Sequence, residues 1–267
     1  MTTVNAAPVA LDVDADGVAR LRLNRPEASN GLNVELLKAL HEAILRCHAN
    51  TSARVVLLSG EGRNFCAGGD IHTFESKGAN LPEYLREATA WLQLATSALI
   101  QLRITVVTAV QGFAAGGGGL GLVCASDIVV AAESAKFFSG AVRVGMAPDG
   151  GSSVTLTQLV GLRQALRILL LNPTLSAAEA RDIGLVTETV PDNELIARAT
   201  EIAATLASSP TLALSATKRL VWNGVGASVE QRLAEESRIV SELSGTADAL
   251  EGLRAVIERR PPRFTGQ

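Results

Sequence analysis

Four consecutive glycines, Gly116 to Gly119, stand between a strand-like apolar segment and a second apolar run, and no other stretch restricts the fold as much. Without a Cβ the backbone can take positive φ and be approached closely by another segment or a ligand. The stretch is therefore either an ordinary turn against a neighbouring element or a loop whose peptide N–H groups face a bound atom. A second glycine-bearing stretch, Phe65-Cys66-Ala67-Gly68-Gly69-Asp70, lies upstream with the same two readings. Donors converging from two such loops would polarise a carbonyl oxygen.

The 267 residues suffice for one large core, or a core with an appendage, but not for two equal domains. Hydrophobic residues at 47% against 19% charged argue for extensive burial and against disorder. A net charge of −3 with no Lys/Arg run argues against a nucleic-acid partner. Met1 to Ala10 lacks the basic-then-apolar pattern of a secretion signal, and no segment reads as apolar for long enough to span a bilayer. Cys47, Cys66 and Cys124 are odd in number and lack metal spacing. They fit reduced thiols in a cytoplasmic protein, each a small buried hydrophobe rather than a nucleophile. No His/Asp/Glu set has ligand spacing either, so no metal is expected.

Ala19, Leu21 and Leu23 alternate with Arg20 and Arg22 as in a half-buried strand. Asn33 is placed to cap a helix carrying Leu36, Leu37, Leu40 and Ile44, and a strand follows at residues 54–58. The pattern repeats with a helix from about Pro82 to Leu102, a β-branched strand from Ile104 to Val110 and another strand at Ile128 to Ala131. Alternation of this kind predicts an α/β core with its functional loops on one side of the sheet. After Leu162 the texture turns almost wholly helical. Ser176 and Glu179 form a capping box, Gly184 stops that helix, and four more helices are expected from about Asp192 to Arg259. The expected division is a core over residues 1–191 and a helical region over residues 192–267.

Several separated motifs occur in one order: Leu23-Asn-Arg-Pro-Glu27, Phe65-Cys-Ala-Gly-Gly-Asp-Ile71, Gln111-Gly-Phe-Ala-Ala-Gly-Gly-Gly-Gly119, Ser126-Asp-Ile128, Ala180-Arg-Asp-Ile-Gly-Leu-Val186 and Glu258-Arg-Arg-Pro-Pro-Arg-Phe264. Through them nearly the whole chain resembles the enoyl-CoA hydratase/isomerase (crotonase) superfamily. The resemblance implies an α/β fold built as a spiral of ββα turns, with a C-terminal helical trimerisation region and a homotrimer or a hexamer made of two trimers. It also implies an acyl-CoA thioester substrate, with coenzyme A as part of the substrate and no separate cofactor. By the same resemblance, the backbone N–H groups of Gly69 and Gly118 hold the thioester oxygen, and Ala28, Asn30 and Ala67 lie along the CoA moiety.

Hydratases of this family carry two glutamates that orient and activate water, and the matching positions here are Gly121 and Ala141. Neither residue can take a proton. Met146-Ala-Pro-Asp149-Gly-Gly-Ser-Ser153 resembles instead the loop in which the family's isomerases keep a single carboxylate. That makes Asp149 the catalytic candidate, with helix capping as its structural alternative, since Pro-Asp-Gly is also a turn signature. The resulting expectation is an enoyl-CoA isomerase that works through an enolate and one base.

The alternatives are a hydratase using other groups, an aryl-CoA dehalogenase-like enzyme and a non-catalytic acyl-CoA-binding member. The dehalogenase relatives carry a tryptophan where Ala141 stands here. His72 reads as a loop histidine or an auxiliary base, Asp70 and Asp127 as bonded to loop backbone, and Lys218 and Arg219 as a solvated helix face or a phosphate contact. Glu75 has no assigned place. No serine sits in a triad pattern.

Overall fold

The alternation at residues 18–23 becomes strand β2, with Ala19, Leu21 and Leu23 fully buried and both arginines half-buried. The computed structural model describes residues 7–267; the first six residues, on which part of the N-terminal reading rests, lie outside the described residues. Strand β1 (Val9–Val13) pairs antiparallel with β2 (Val18–Leu23), a strand the sequence reading did not pick out. Helix α1 (Val34–Ala49) follows, capped by the Asn33 side chain accepting from the Leu36 N–H at 2.9 Å, with Leu36, Leu37, Leu40 and Ile44 buried.

Next come β3 (Val55–Gly60), a short α2 (Ile71–Lys77), the long α3 (Leu81–Gln101) and β4 (Thr105–Val110). All six residues of β4 are buried, as a central parallel strand covered on both faces requires. Then follow β5 (Phe113–Ala115), α4 (Gly116–Cys124), β6 (Ile128–Ala132), β7 (Lys136–Phe138) and α5 (Ser152–Leu166). The last core elements are β8 (Leu175–Ser176), α6 (Ala177–Asp182), β9 (Glu188–Val190) and α7 (Leu195–Ala207). The capping box at Ser176 and Glu179 forms in full at the start of α6.

Strands β2, β3, β4, β6 and β9 run parallel in a six-stranded sheet completed by β1, while β5, β7 and β8 form a second, smaller sheet. The chain lays one strand in the large sheet, one in the small sheet, then a helix: β4–β5–α4, then β6–β7–α5. The preceding turn, β3 to α3, places only Cys66 beside Ala114 as a single parallel bridge. This is the spiral of ββα turns expected from the resemblance.

Helix α7 lays Leu195, Ala199, Ala203 and Ala207 into the same core as the sheet, so the core runs past residue 191 to Ala207. Outside it stand α8 (Thr211–Gly224), α9 (Val229–Leu243) and α10 (Ala247–Glu258). Helix α8 is fastened by Lys218, whose ammonium pairs with Asp127 at 2.7 Å and donates to the Leu99 and Ile104 carbonyls. Asp127 also accepts from the Val106 N–H and the Trp222 indole, each at 2.8 Å. The solvated-face reading of Lys218 is thus corrected: it is a buried clamp between α8 and the end of α3.

One segment departs from the membrane reading. Ser152–Leu171, α5 with the π turn that follows it, is long and apolar enough to cross a membrane by length and composition. It is not a continuous rod, because Gly161 takes φ 78°, ψ 155° and breaks it, and Leu156, Ala165 and Ile168 are buried in the core.

Candidate active site

Parallel strands end on one side, and the loops after β3 and β4 meet there. Asn30 organises the first loop. Its amide donates to the Glu61, Asn64 and Phe65 carbonyls and its oxygen accepts from the Arg25 N–H. It is fully buried, so the expectation that Asn30 lies along CoA is corrected: its side chain is spent inside the protein. Asn64 joins the two loops by accepting from the Phe113 N–H at 3.1 Å. The loops then run side by side through Cys66 N–H to the Phe113 carbonyl and Ala115 N–H to the Cys66 carbonyl.

Both glycine-bearing loops end on one cavity of about 540 Å³, walled by Ala67, Gly69, Gly116, Gly117, Gly118 and Asp149 together with apolar side chains from α2, α3 and residues 138–147. The volume is in the ordinary range for a small-molecule site. Gly118 lies in the first turn of α4, where an N–H has no partner within the helix, and no side chain caps that turn. The Gly69 N–H likewise meets no backbone acceptor among the described residues. Two unspent donors therefore reach the same cavity from separate loops, one of them at the positive end of a helix.

The lack of side chains on α4 decides where Asp149 sits. A Cβ on Gly117 would fall on the Asp149 Oδ1, so the carboxylate occupies the place of the missing side chain. A Cβ on Gly121 would lie 2.8 Å from the Gly150 carbonyl oxygen, and one on Gly150 2.7 Å from the Gly117 carbonyl oxygen. Position 121 is therefore sealed by the backbone of the Asp149 turn, with no space for a glutamate.

The capping alternative is answered by the same loop. Helix α5 is begun by the Asp149 carbonyl, which accepts from the Ser152 N–H and hydroxyl, and no side chain caps it. Among the described residues only its own amide bonds the Asp149 carboxylate, and burial pushes that carboxyl above the usual carboxylate range. Among the described residues it is the one acid on the cavity wall.

Other candidates fall away from the cavity. His72 and Glu75 are exposed and absent from its wall, although Ile71 and Phe74 of the same helix line it. Asp70 caps α2 through the Thr73 N–H and pairs with Arg25 at 3.1 Å; burial raises its pKa, but these bonds outweigh burial and hold it below the usual range. Ala28 is half-buried and off the wall, in the loop whose Ser29 carbonyl accepts from the Ala67 N–H. All three thiols are buried, which pushes Cys66 and Cys124 up to about 12 and keeps them protonated at neutral pH. Among the described residues no three His, Cys, Asp or Glu side chains gather as metal ligands.

With this geometry in view, the profile of the enoyl-CoA hydratase/isomerase family matches residues 14–267. The chain belongs to that family. A probable enoyl-CoA hydratase of Rhodobacter capsulatus is 37% identical over 95% of this chain and 96% of its own length. The 1,2-epoxyphenylacetyl-CoA isomerase of Escherichia coli is 34% identical over 94% of this chain and 96% of its own. The crystal structure of an enoyl-CoA hydratase from Bacillus anthracis superposes with a TM-score of 0.91 at 31% identity, over 97% of this chain and all of that one. The family's members named here thus include both hydratases and an isomerase, and the acyl-CoA chemistry is common to them.

Proposed function

We propose that this family member shifts a double bond along an acyl-CoA thioester, converting a 3-enoyl-CoA to the conjugated 2-enoyl-CoA, with Asp149 as the single proton carrier. The observation that carries the reading is the lone desolvated carboxylate seated over Gly117, on a cavity that also holds the Gly69 and Gly118 N–H groups. Ionised Asp149 takes a proton from the α-carbon, and the electron pair moves into the thioester carbonyl. Gly69 and Gly118 donate to the resulting oxyanion, and the N-terminal end of α4 adds its dipole. The same carboxyl then returns the proton at the γ-carbon. Coenzyme A arrives with the substrate and lies toward Ala67 and the neighbouring Ala28 loop.

Many relatives bear hydratase names, and hydration is the second reading. Against it stand Gly121, whose side-chain space is closed by Gly150, and Ala141, which lines the cavity without a proton-transfer group. Absorbance of the conjugated thioester, followed from a 3-enoyl-CoA and in parallel from a 2-enoyl-CoA in water, separates the two. Efficient hydration without isomerisation would end the single-base reading.

Gly118→Val tests the donor pair. A Cβ at 118 would collide with Leu32, and Leu32 is bonded on both sides to the Gly68–Asp70 stretch that carries the other donor. The variant is expected to lose about 10²–10³ in kcat. It should also lose roughly 1–3 kcal/mol of stability from overpacking, measurable by urea denaturation. Unchanged turnover in a folded variant would place the oxyanion elsewhere.

We also infer a trimer-based assembly. Helices α9 and α10 expose Leu233, Val240, Leu253, Val256 and Ile257, an apolar surface that a lone chain would leave in water. Light scattering is expected to give a trimer or a multiple of three, and a stable monomer at micromolar concentration would remove the claim.

A further inference from the structure

The cavity wall carries one basic side chain that the double-bond shift does not use. Arg143 sits in the turn at residues 141–144, between Ala141 and the apolar Val144 and Met146, all on the same wall. Its guanidinium stacks on the Phe138 ring, 5.0 Å from the centroid, and donates one hydrogen bond to the Asn172 carbonyl at 2.7 Å. Asn172 in turn accepts from the Gly140 N–H through its side-chain oxygen, which fixes the start of the turn. Among the described residues no carboxylate pairs with Arg143. A guanidinium has five N–H donors in a planar fork suited to carboxylates; Arg143 is exposed, four of its donors have no partner among the described residues, and Asp149 is the other charged side chain on the wall.

The position of Arg143 separates its task from that of Asp149. Arg143 stands in the turn at residues 141–144, six positions before Asp149 and outside the turn that holds the carboxylate. On the acyl-CoA reading proposed above, the segment from Ala141 to Asp149 faces the acyl part of the substrate, whereas Ala67 and the adjoining Ala28 loop lie on the other glycine-bearing loop. An aliphatic chain alone would gain nothing from this cation. An anionic oxygen group would gain a bidentate, charge-assisted contact.

We propose that Arg143 is a specificity-determining residue that receives a carboxylate carried by the acyl chain, so that the preferred substrates are thioesters of dicarboxylic acids. The proposal rests on the acyl-CoA reading of the cavity but not on the isomerase reading. It is therefore tested with saturated thioesters, which have no double bond to move.

Isothermal titration of adipyl-CoA and hexanoyl-CoA, matched in chain length, is the measurement. Wild type is expected to bind adipyl-CoA more tightly. Arg143→Met should weaken adipyl-CoA by about tenfold and hexanoyl-CoA by much less, and Arg143→Lys should recover part of the difference. The preference should also shrink as salt is raised. Equal weakening of both ligands would assign Arg143 to the phosphates of CoA and overturn the proposal. Equal affinity of wild type for both ligands, or no effect of Arg143→Met, would overturn it as well while leaving the acyl-CoA reading intact. Failure of wild type to bind either thioester would remove both.

Discussion

Asp149→Asn is expected to lower isomerisation of a 3-enoyl-CoA by about 10²–10⁴-fold while the protein stays folded. Asparagine keeps the size and leaves the Asp149 carbonyl free to begin α5, so a purely structural role would survive the change. Stability adds a second, independent readout. Burial lifts the folded-state pKa of Asp149 above its unfolded value, so the folded state binds the proton more readily. The cost of burying the ion is therefore absent below the ordinary carboxylate pKa and grows as pH rises through the shifted value. Asparagine carries no such cost. The variant should melt higher than wild type at about pH 7, and the advantage should fade as the pH approaches the unfolded pKa. Wild-type kcat/KM should fall in acid with a midpoint above the usual carboxylate range. A variant that isomerises like wild type would return Asp149 to the role of a turn residue.

Lys218→Met is expected to cost about 3–5 kcal/mol of folding stability, read by urea denaturation. It strands Asp127 in a nearly closed site with only the Val106 N–H and the Trp222 indole as partners. Removing both charges, as Lys218→Met with Asp127→Asn, should recover much of the loss, because the larger penalty comes from the unpaired ion. A loss under roughly 1 kcal/mol in the single variant would show that the pair behaves as an exposed one.

The parts of the fold that could be read from sequence are those whose signal is local and repeated. Helix α1 announces itself through Asn33 and its apolar spacing, and α6 through its capping box. Strands β5, β8 and β9 have two or three residues each, too few to show alternation, and two of them hide within the segment that reads as helical. They exist because neighbouring turns of the spiral supply partners. Lys218 was misread because its partner stands 91 positions away and nothing on its own helix marks it as buried. Asn30 likewise carried a motif position but not its burial.

At the candidate site, the three positions singled out from the sequence, Gly69, Gly118 and Asp149, all line one space. What sequence could not supply was the reason for the glycines. The glycine stretch left a close packing contact and a ligand-facing loop both open, and in the structure Gly117 and Gly121 make room for the Asp149–Gly150 turn. Arg143 was missed because a single arginine in a short turn has no pattern, and only the absence of a neighbouring acid in space makes it noticeable.

The interlock of α4 with the Asp149 turn has a consequence for how such a protein can change. The placing of the Asp149 turn against the start of α4, which carries the Gly118 N–H, is set by close approach at Gly117, Gly121 and Gly150. Apart from Leu92, which packs near Gly150, the remaining wall from α3 and from residues 138–147 is made of side chains outside that contact. On the function proposed above, substrate range can drift by replacing wall residues one at a time while the reacting geometry is inherited unaltered. Conversely, a single methyl group added at one of those three glycines would be felt by every substrate alike.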